Sequence, residues 1–443
     1  VGIRFRFIHA ADLHIDSPFR GLSEAPDYVR EALADATIES AKKLTEAAIA
    51  HQVDFVVIAG DLYDGADRSL RAQLTLQREW ERLHAYGVQL FVIHGNHDHL
   101  SGSRANLAWP PNVHIYGADE VTVKPAYTRT GELAAYVHGI SYANRAVSEN
   151  LAKRYQALGN ETYQIGLLHA NVDGDASHDP YSPCSLTELV GSGFHYWALG
   201  HIHNRHIMHQ DPYVVYSGNT QGRHAKETGA KGCYLVDVTP QQQTQLAFIP
   251  LDTVRFETVS VDLTGQKSEQ GLLDAMEAAI GAAVMEHAGC RLMIRVRLVG
   301  RSGLHAKLME ATFGKELLEG LREQLAYDSD RGTAGDWVWV TSLEVRTGAE
   351  LQLETLAEED SFAGEVYRML LDLSQHHELR QQVLDEATAP LMSNARLRRL
   401  VRGYSEEQLA QLLNTAGEMA CGMLADDQRQ TDREQSSKEE QRS

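Results

Sequence analysis

Short apolar runs rich in β-branched and aromatic residues recur through the first half of the chain, each followed by a polar cluster. They are Phe5–Ile8, Phe55–Ile58, Leu90–Ile93, Ile165–Leu168 and Tyr196–Leu199. Between the first two, Tyr28–Ala50 has the periodicity of an amphipathic helix. Leu70–Tyr86 has the same before Gly87, which stops it. Strands alternating with helices predict an α/β sheet, where strand ends gather distant side chains into one crevice. Two more strands, Tyr213–Tyr216 and Cys233–Val238, flank a polar loop, and Gln241–Gln245 reads as a hairpin turn.

This pattern closes a first domain over residues 1–250. A second, over 251–350, shows alternating strands Phe256–Val261, Leu292–Val299 and Val338–Val345 separated by helical stretches, which predicts a small α/β cap. Residues 351–425 then read as helices. Val366, Met369, Leu370 and Leu373 fall at helical spacing, as do Leu409, Leu412, Leu413 and Ala416, and Ser405 with Gln408 forms a capping-box pattern. Residues 426–443 are almost devoid of apolar side chains and are expected to be disordered.

The 61 acidic against 41 basic residues give a formal charge of -20, so a phosphate-bearing partner needs a local positive site. The four cysteines are scattered without a C-x-x-C pair, which excludes a zinc ribbon and a disulfide framework and suits a reducing cytoplasm. The chain opens directly on the alternating segment Ile3–Ile8 and has no apolar run of membrane-spanning length, so neither a secretion signal nor a membrane partner is expected.

The 21 histidines are not evenly spread. Asp12 and His14 follow the first run, Asp61 the second, Asn96 and His97 the third, His169 the fourth, and His201 and His203 the fifth. Carboxylate, imidazole and amide oxygen suit Mn²⁺, Fe²⁺ or Zn²⁺, and adjoining glycines permit the turns that expose them. Any one of these elements alone is weak, since H-x-H is commonly a surface strand feature and Asn-His-Asp a turn. Five in order, each at a predicted strand end, point to a metal site. His9, His94, His99, His178, His206, His209 and His224 are expected to be structural or solvent-facing rather than ligands. Arg223 and His224, just past Ser217-Gly218-Asn219, could touch substrate. No P-loop, nucleophile elbow or dinucleotide fingerprint is present.

The ordered set D-x-H, G-D, G-N-H-D, H and G-H-x-H resembles the calcineurin-like metallophosphoesterases. That resemblance implies a layered α/β sandwich and two divalent ions, most simply Mn²⁺, with Fe²⁺, Zn²⁺ or Mg²⁺ as alternatives. It implies one ion held by Asp12, His14 and His203, the other by Asn96, His169 and His201, with Asp61 bridging both. His97 would be the non-ligating catalytic histidine facing the scissile phosphate. Asp98 is expected to orient a ligand rather than bind metal. Two ions against two carboxylates leave a positive site in an acidic protein, suited to phosphoester hydrolysis.

The surrounding stretches, Phe7–Asp16, Ala59–Asp64 and Tyr216–His224, look like those of the SbcD-type DNA repair nucleases, in their YhaO branch. By that resemblance the chain is a metal-dependent DNA phosphodiesterase, exonuclease or endonuclease, whose partners are DNA and an SMC-like, SbcC-type ATPase, and a homodimer is compatible with it. Asp64 departs from the archaeal and eukaryotic members, which carry histidine there; it is either a turn residue or a substrate-positioning one. In the cap, Arg291, Arg295 and Arg297 alternate on one strand, so Arg295 and Arg297 are candidate DNA contacts, against the alternative of a solvated sheet edge balanced by acids. Trp337 and Trp339 are expected in core packing. The basic residues Arg396, Arg398, Arg399 and Arg402 lie between helices that either pack on each other or dock on the ATPase. Two other functions remain open: a phosphomonoesterase or nucleotide phosphodiesterase, and a non-catalytic DNA-end scaffold, against which the complete ligand set and His97 argue.

Overall fold

The computed structural model describes all residues except 1, 20–24, 66–67, 103–106, 160, 175–178, 330–336, 349, 351–352, 393–396, 399–400, 402, 406, 415, 418 and 425–443. The expectations for His178, Arg396, Arg399, Arg402 and the tail therefore lie outside the described residues. The chain divides into two compact units. One comprises Val1–Thr258, Val284–Arg295 and Leu325–Thr341, and the other Val259–Ala283, Val296–Gln324 and Ser342–Ser443.

The first unit is built on two six-stranded sheets. One sheet contains β1 (Phe5–Ala10), β2 (Phe55–Ala59), β3 (Gln89–Ile93), β4 (Val113–Ile115), β11 (Gly232–Val238) and β12 (Thr244–Pro250) in the order β12-β11-β1-β2-β3-β4. The other contains β5 (Thr122–Tyr127), β6 (Leu133–Gly139), β7 (Tyr163–His169), β8 (Tyr196–Gly200), β9 (His206–Gln210) and β10 (Tyr213–Tyr216) in the order β5-β6-β7-β8-β10-β9. Strands β1 to β4 run parallel, as do β6, β7, β8 and β10, while the flanking strands are antiparallel.

Period-two alternation sorts the apolar side chains into layers. Phe5, Phe7, Phe55, Val57, Phe91 and Ile93 meet Val137, Ile165, Leu167, Tyr196 and Ala198 between the sheets. The opposite face of the first sheet, with Ile8, Val56, Ile58 and Val92, packs under α1 (Asp27–Ala50) and α2 (Leu70–Ala85). The outer face of the second, with Leu168, Trp197 and Leu199, packs against Leu189 of the short α3 (Leu186–Val190). Helix α2 ends as its sequence predicts: Gly87 takes φ +71°, its N–H bonds to His84 O, and Val88 N–H bonds to Leu83 O, a Schellman closure.

A three-stranded sheet joins β13 (Val254–Asp262), β14 (Arg291–Arg301) and β15 (Val338–Gly348), with α4 (Glu269–Glu286), α5 (His305–Leu308) and α6 (Ala311–Ser329) in the connections. Within the first unit Trp337 and Trp339 pack with Phe256 and Met293 against Val29 and Leu33 of α1, as core residues. In the second unit come α7 (Leu353–Glu358), α8 (Phe362–Gln375) and α9 (His377–Met392). Ser361 caps α8 through Gly364 N, and Ser405 and Gln408 exchange the two bonds of a capping box. Leu356, Ala363, Val366 and Tyr367 pack with Cys421 and Leu424, so these helices do bury one face on each other. No described helix is long and apolar enough to cross a membrane.

Candidate metal centre

The metal-capable residues named from the sequence lie at the C-terminal ends of strands, His169 as the last residue of β7 and the others in the turns that follow, and the local backbone is unusual there. Asp12 (φ 52°), His14 (φ 42°), Asp61 (φ 52°) and His201 (φ 98°) all adopt left-handed conformations that non-glycine residues rarely take. The turns are tied to one another: Asp12 N–H bonds to Gly60 O and His14 N–H to Asp61 O. Gly95 leaves no room for a side chain, since a Cβ would stand 2.7 Å from His169 Nε2.

These turns bring the predicted ligands together. Asp12, His14 and His203 converge as one set of donors and Asp12, Asp61 and His169 as another. Asp61 Oδ2 lies 3.7 Å from His14 Nε2 and 3.5 Å from His169 Nε2, so a single oxygen faces both groups. His14 Nε2 and His203 Nε2 are 3.2 Å apart, and His169 Nε2 is 2.9 Å from Asn96 Oδ1. His201 packs edge-on against His169, with 5.3 Å between ring centroids, and donates Nε2–H to Asp179 O.

The hydrogen bonds facing away from the crevice set what faces into it. His169 donates Nδ1–H to Ala59 O, and His203 donates Nδ1–H to Glu227 Oε1 at 2.6 Å, so each turns an Nε2 lone pair inward. Burial holds His169 and His203 down at about 4, and burial and the Arg223 charge hold His14 well below the usual imidazole range, so all three are neutral at pH 7. Asp12 is driven up by burial and the adjacent Asp61, and Asp61 is driven by burial to about 6. Buried acceptors thus confront one another with no donor between them, an arrangement that a cation satisfies. The spacings fit one, since ligands about 2.0–2.2 Å from an ion stand ~3 Å apart at right angles. The residues present therefore suit divalent metal.

His97 lies outside the two sets that contain Asp12 and falls instead in a third group of possible donors with His14 and Asp64. Its ring centroid is 4.8 Å from that of His14, its side chain is 32% exposed, and it donates Nδ1–H to Asp64 O at 2.8 Å. Arg223 pairs with the Asp64 carboxylate, and its Nε has no hydrogen-bond partner among the described residues. His224 is half exposed, 3.4 Å from Glu227. Asp98 points away from the crevice: its oxygens accept from Gly95 N, Leu62 N and His94 Nδ1, and these partners hold it at about 2 against the upward push of burial. His9 bonds Tyr196 Oη inside the core, His209 bonds Pro212 O and His99 bonds Ser101, all outside the donor set as expected; His206 is exposed. Arg297 is committed to Glu344, which also binds Arg346, and Arg295 is half-buried on the same strand face.

Sequence reasoning missed Glu227 and the carbonyls of Ala59 and Asp179. Glu227 did carry a faint signal, as the single acid between Asp211 and Asp237.

Comparison with known proteins agrees with this geometry. Residues 5–205 match the calcineurin-like phosphoesterase model, and residues 256–348 match the middle domain of metallophosphoesterase YhaO. The chain is 40% identical to the metallophosphoesterase YhaO of Bacillus subtilis, over 82% of this chain and 86% of that protein. It is 26% identical to the DNA double-strand break repair protein Mre11 of Sulfurisphaera tokodaii, over 46% of this chain and 51% of the other. It is 24% identical to one of the subunits of the nuclease SbcCD from Staphylococcus saprophyticus, over 56% of this chain and 70% of the other. Donors gathered from five strand ends, the two matched segments and the length shared with YhaO lead to one conclusion: the chain belongs to the calcineurin-like metallophosphoesterases, a family of phosphoester hydrolases that use a dinuclear metal site, and within it to the YhaO branch.

Proposed function

We propose that the protein hydrolyses phosphodiester bonds in DNA with two divalent ions, Mn²⁺ for choice, in a reducing cytoplasm and together with an SMC-like ATPase. The observation that carries this reading is the single Asp61 oxygen facing both His14 and His169. Asp12, His14 and His203 would hold one ion, Asn96, His169 and His201 the other, and Asp61 both. When bound, such a pair supplies positive charge for the phosphoryl oxygens and acidifies the attacking water.

The chain's own residues do the rest. With Nδ1–H given to Asp64 O, His97 can hold or release a proton only at Nε2, and it protonates the departing sugar oxygen from there. Asp64 thereby positions His97 through its carbonyl and Arg223 through its carboxylate. Arg223, paired with Asp64, adds positive charge beside the crevice for a non-bridging phosphate oxygen. Asp98 binds no ion; it ties the turn after Asp61 to the turn before Asn96.

DNA as substrate is supported by the relatives named as a double-strand break repair protein and as part of a nuclease. Arg295 remains the stronger cap contact, since Arg297 is neutralised by Glu344. We take residues 1–250 as the phosphoesterase domain, 251–350 as the cap and 351–425 as the docking region. Leu412, Met419 and Met423 recur at helical spacing and are 51%, 62% and 71% exposed, an apolar face that suits docking on a partner helix. Labelled linear and circular DNA, incubated with Mn²⁺ with and without the candidate ATPase, test the proposal. Metal-dependent cleavage is expected. Intact DNA alongside rapid turnover of a phosphomonoester would refute it.

A further inference from the structure

After β10 the chain folds back along the backbone that carries His203. Gly218, at φ +73°, approaches so closely that a Cβ would stand 2.7 Å from His203 O. Asn219 N–H donates to that same carbonyl at 3.2 Å. Glu227 sits in this loop, 5% exposed, and its two oxygens face different partners. Oε1 accepts Nδ1–H of His203 at 2.6 Å. Oε2 accepts the backbone N–H of Arg223 at 2.7 Å and the side-chain amide of Asn219 at 2.9 Å.

We propose that Glu227 is a positioning residue that couples the metal-facing and phosphate-facing halves of the site, an inference that rests on the two-metal reading above. Through Oε1 it fixes the tautomer and ring plane of His203, so that Nε2 keeps its lone pair toward His14 and a shared cation. Through Oε2 it anchors the chain from which Arg223 reaches Asp64. Both jobs need an acceptor at each oxygen. A glutamine would set an NH₂ against either the His203 Nδ1–H or the Arg223 N–H, donor to donor, and release one half of the site.

The test compares metal-free wild type, Glu227→Gln and Glu227→Asp by calorimetric titration with Mn²⁺, and measures kcat and KM for bis(p-nitrophenyl) phosphate. Glu227→Gln should bind Mn²⁺ about 10–100-fold more weakly at one of two sites, the usual range for losing a partner behind a ligand. Its KM should rise, and Glu227→Asp, which keeps the charge, should recover part of both losses. Unchanged Mn²⁺ affinity at both sites in a folded Glu227→Gln protein overturns the inference, whatever its melting temperature. Wild type that binds no Mn²⁺ overturns the two-metal reading, and this inference with it. If Glu227→Gln does not fold, nitrogen-15 NMR of histidine-labelled wild type decides: His203 as the Nδ1–H tautomer supports the proposal and the Nε2–H tautomer overturns it.

Discussion

Asparagine in place of Asp98 should destabilise the first unit by about 3–5 kcal/mol, although the residue would touch neither metal nor substrate. The carboxylate is fully buried and accepts from Gly95 N at 2.8 Å, Leu62 N at 2.9 Å and His94 Nδ1 at 2.7 Å. The asparagine oxygen can keep the Gly95 bond, and His94 can change tautomer to accept from the new amide. Leu62 N–H then meets an NH₂ instead of an acceptor, and a buried donor left unpaired costs about 1–3 kcal/mol. The two surviving bonds lose their ionic character, at about 1 kcal/mol each. All five tryptophans, Trp80, Trp109, Trp197, Trp337 and Trp339, belong to the first unit, so tryptophan fluorescence of the chelated protein follows that unit's melting alone. A loss of this size corresponds to roughly 10 °C in Tm for a unit of this length. Metal affinity should fall too, because Leu62 and Gly95 adjoin Asp61 and Asn96. A Tm within 2 °C of wild type would refute the reasoning.

Asp61→Asn should lose both ions, as read by elemental analysis, and unchanged stoichiometry would sink the shared-oxygen assignment. His97→Ala should keep its metal while hydrolysis falls by about 10²-fold or more; a parallel fall in metal content would make His97 a ligand. Gly166→Ala puts a Cβ 2.5 Å from the rigid Trp197 ring and should cost about 1–3 kcal/mol by urea denaturation, with a neutral result showing that β7 can shift. Met419→Ser combined with Met423→Ser should leave folding intact and abolish co-purification with the ATPase; retained co-purification places the partner surface elsewhere.

The strands and the metal-capable side chains at their ends were legible together, because each such side chain closely follows a buried β-branched or aromatic run and both signals are local. Strands β5 and β6 were not foreseen. Pro125 breaks the pattern of β5, which tolerates it as the edge strand of its sheet, and β6 is rich in alanine. Glu227 escaped for another reason: its contact with His203 spans 24 residues of chain and depends on the fold-back after β10. For Arg297, alternation along β14 correctly gave the face, but the neighbour across the sheet, Glu344, decides whether the charge is available.

The candidate donors come from both sheets: Asp12, His14, Asp61 and Asn96 follow strands of one, while His169 ends a strand of the other and His201 and His203 follow its neighbour. An ion held there would bridge two layers that otherwise meet through apolar side chains and a few hydrogen bonds such as His9 to Tyr196 and His169 to Ala59. Folding and metal uptake are then thermodynamically linked, since an ion at 100 times its dissociation constant adds about 2.7 kcal/mol to the native state. The melting temperature of the first unit becomes a gauge of free metal concentration, and metal starvation exposes the protein to unfolding and proteolysis as well as silencing it.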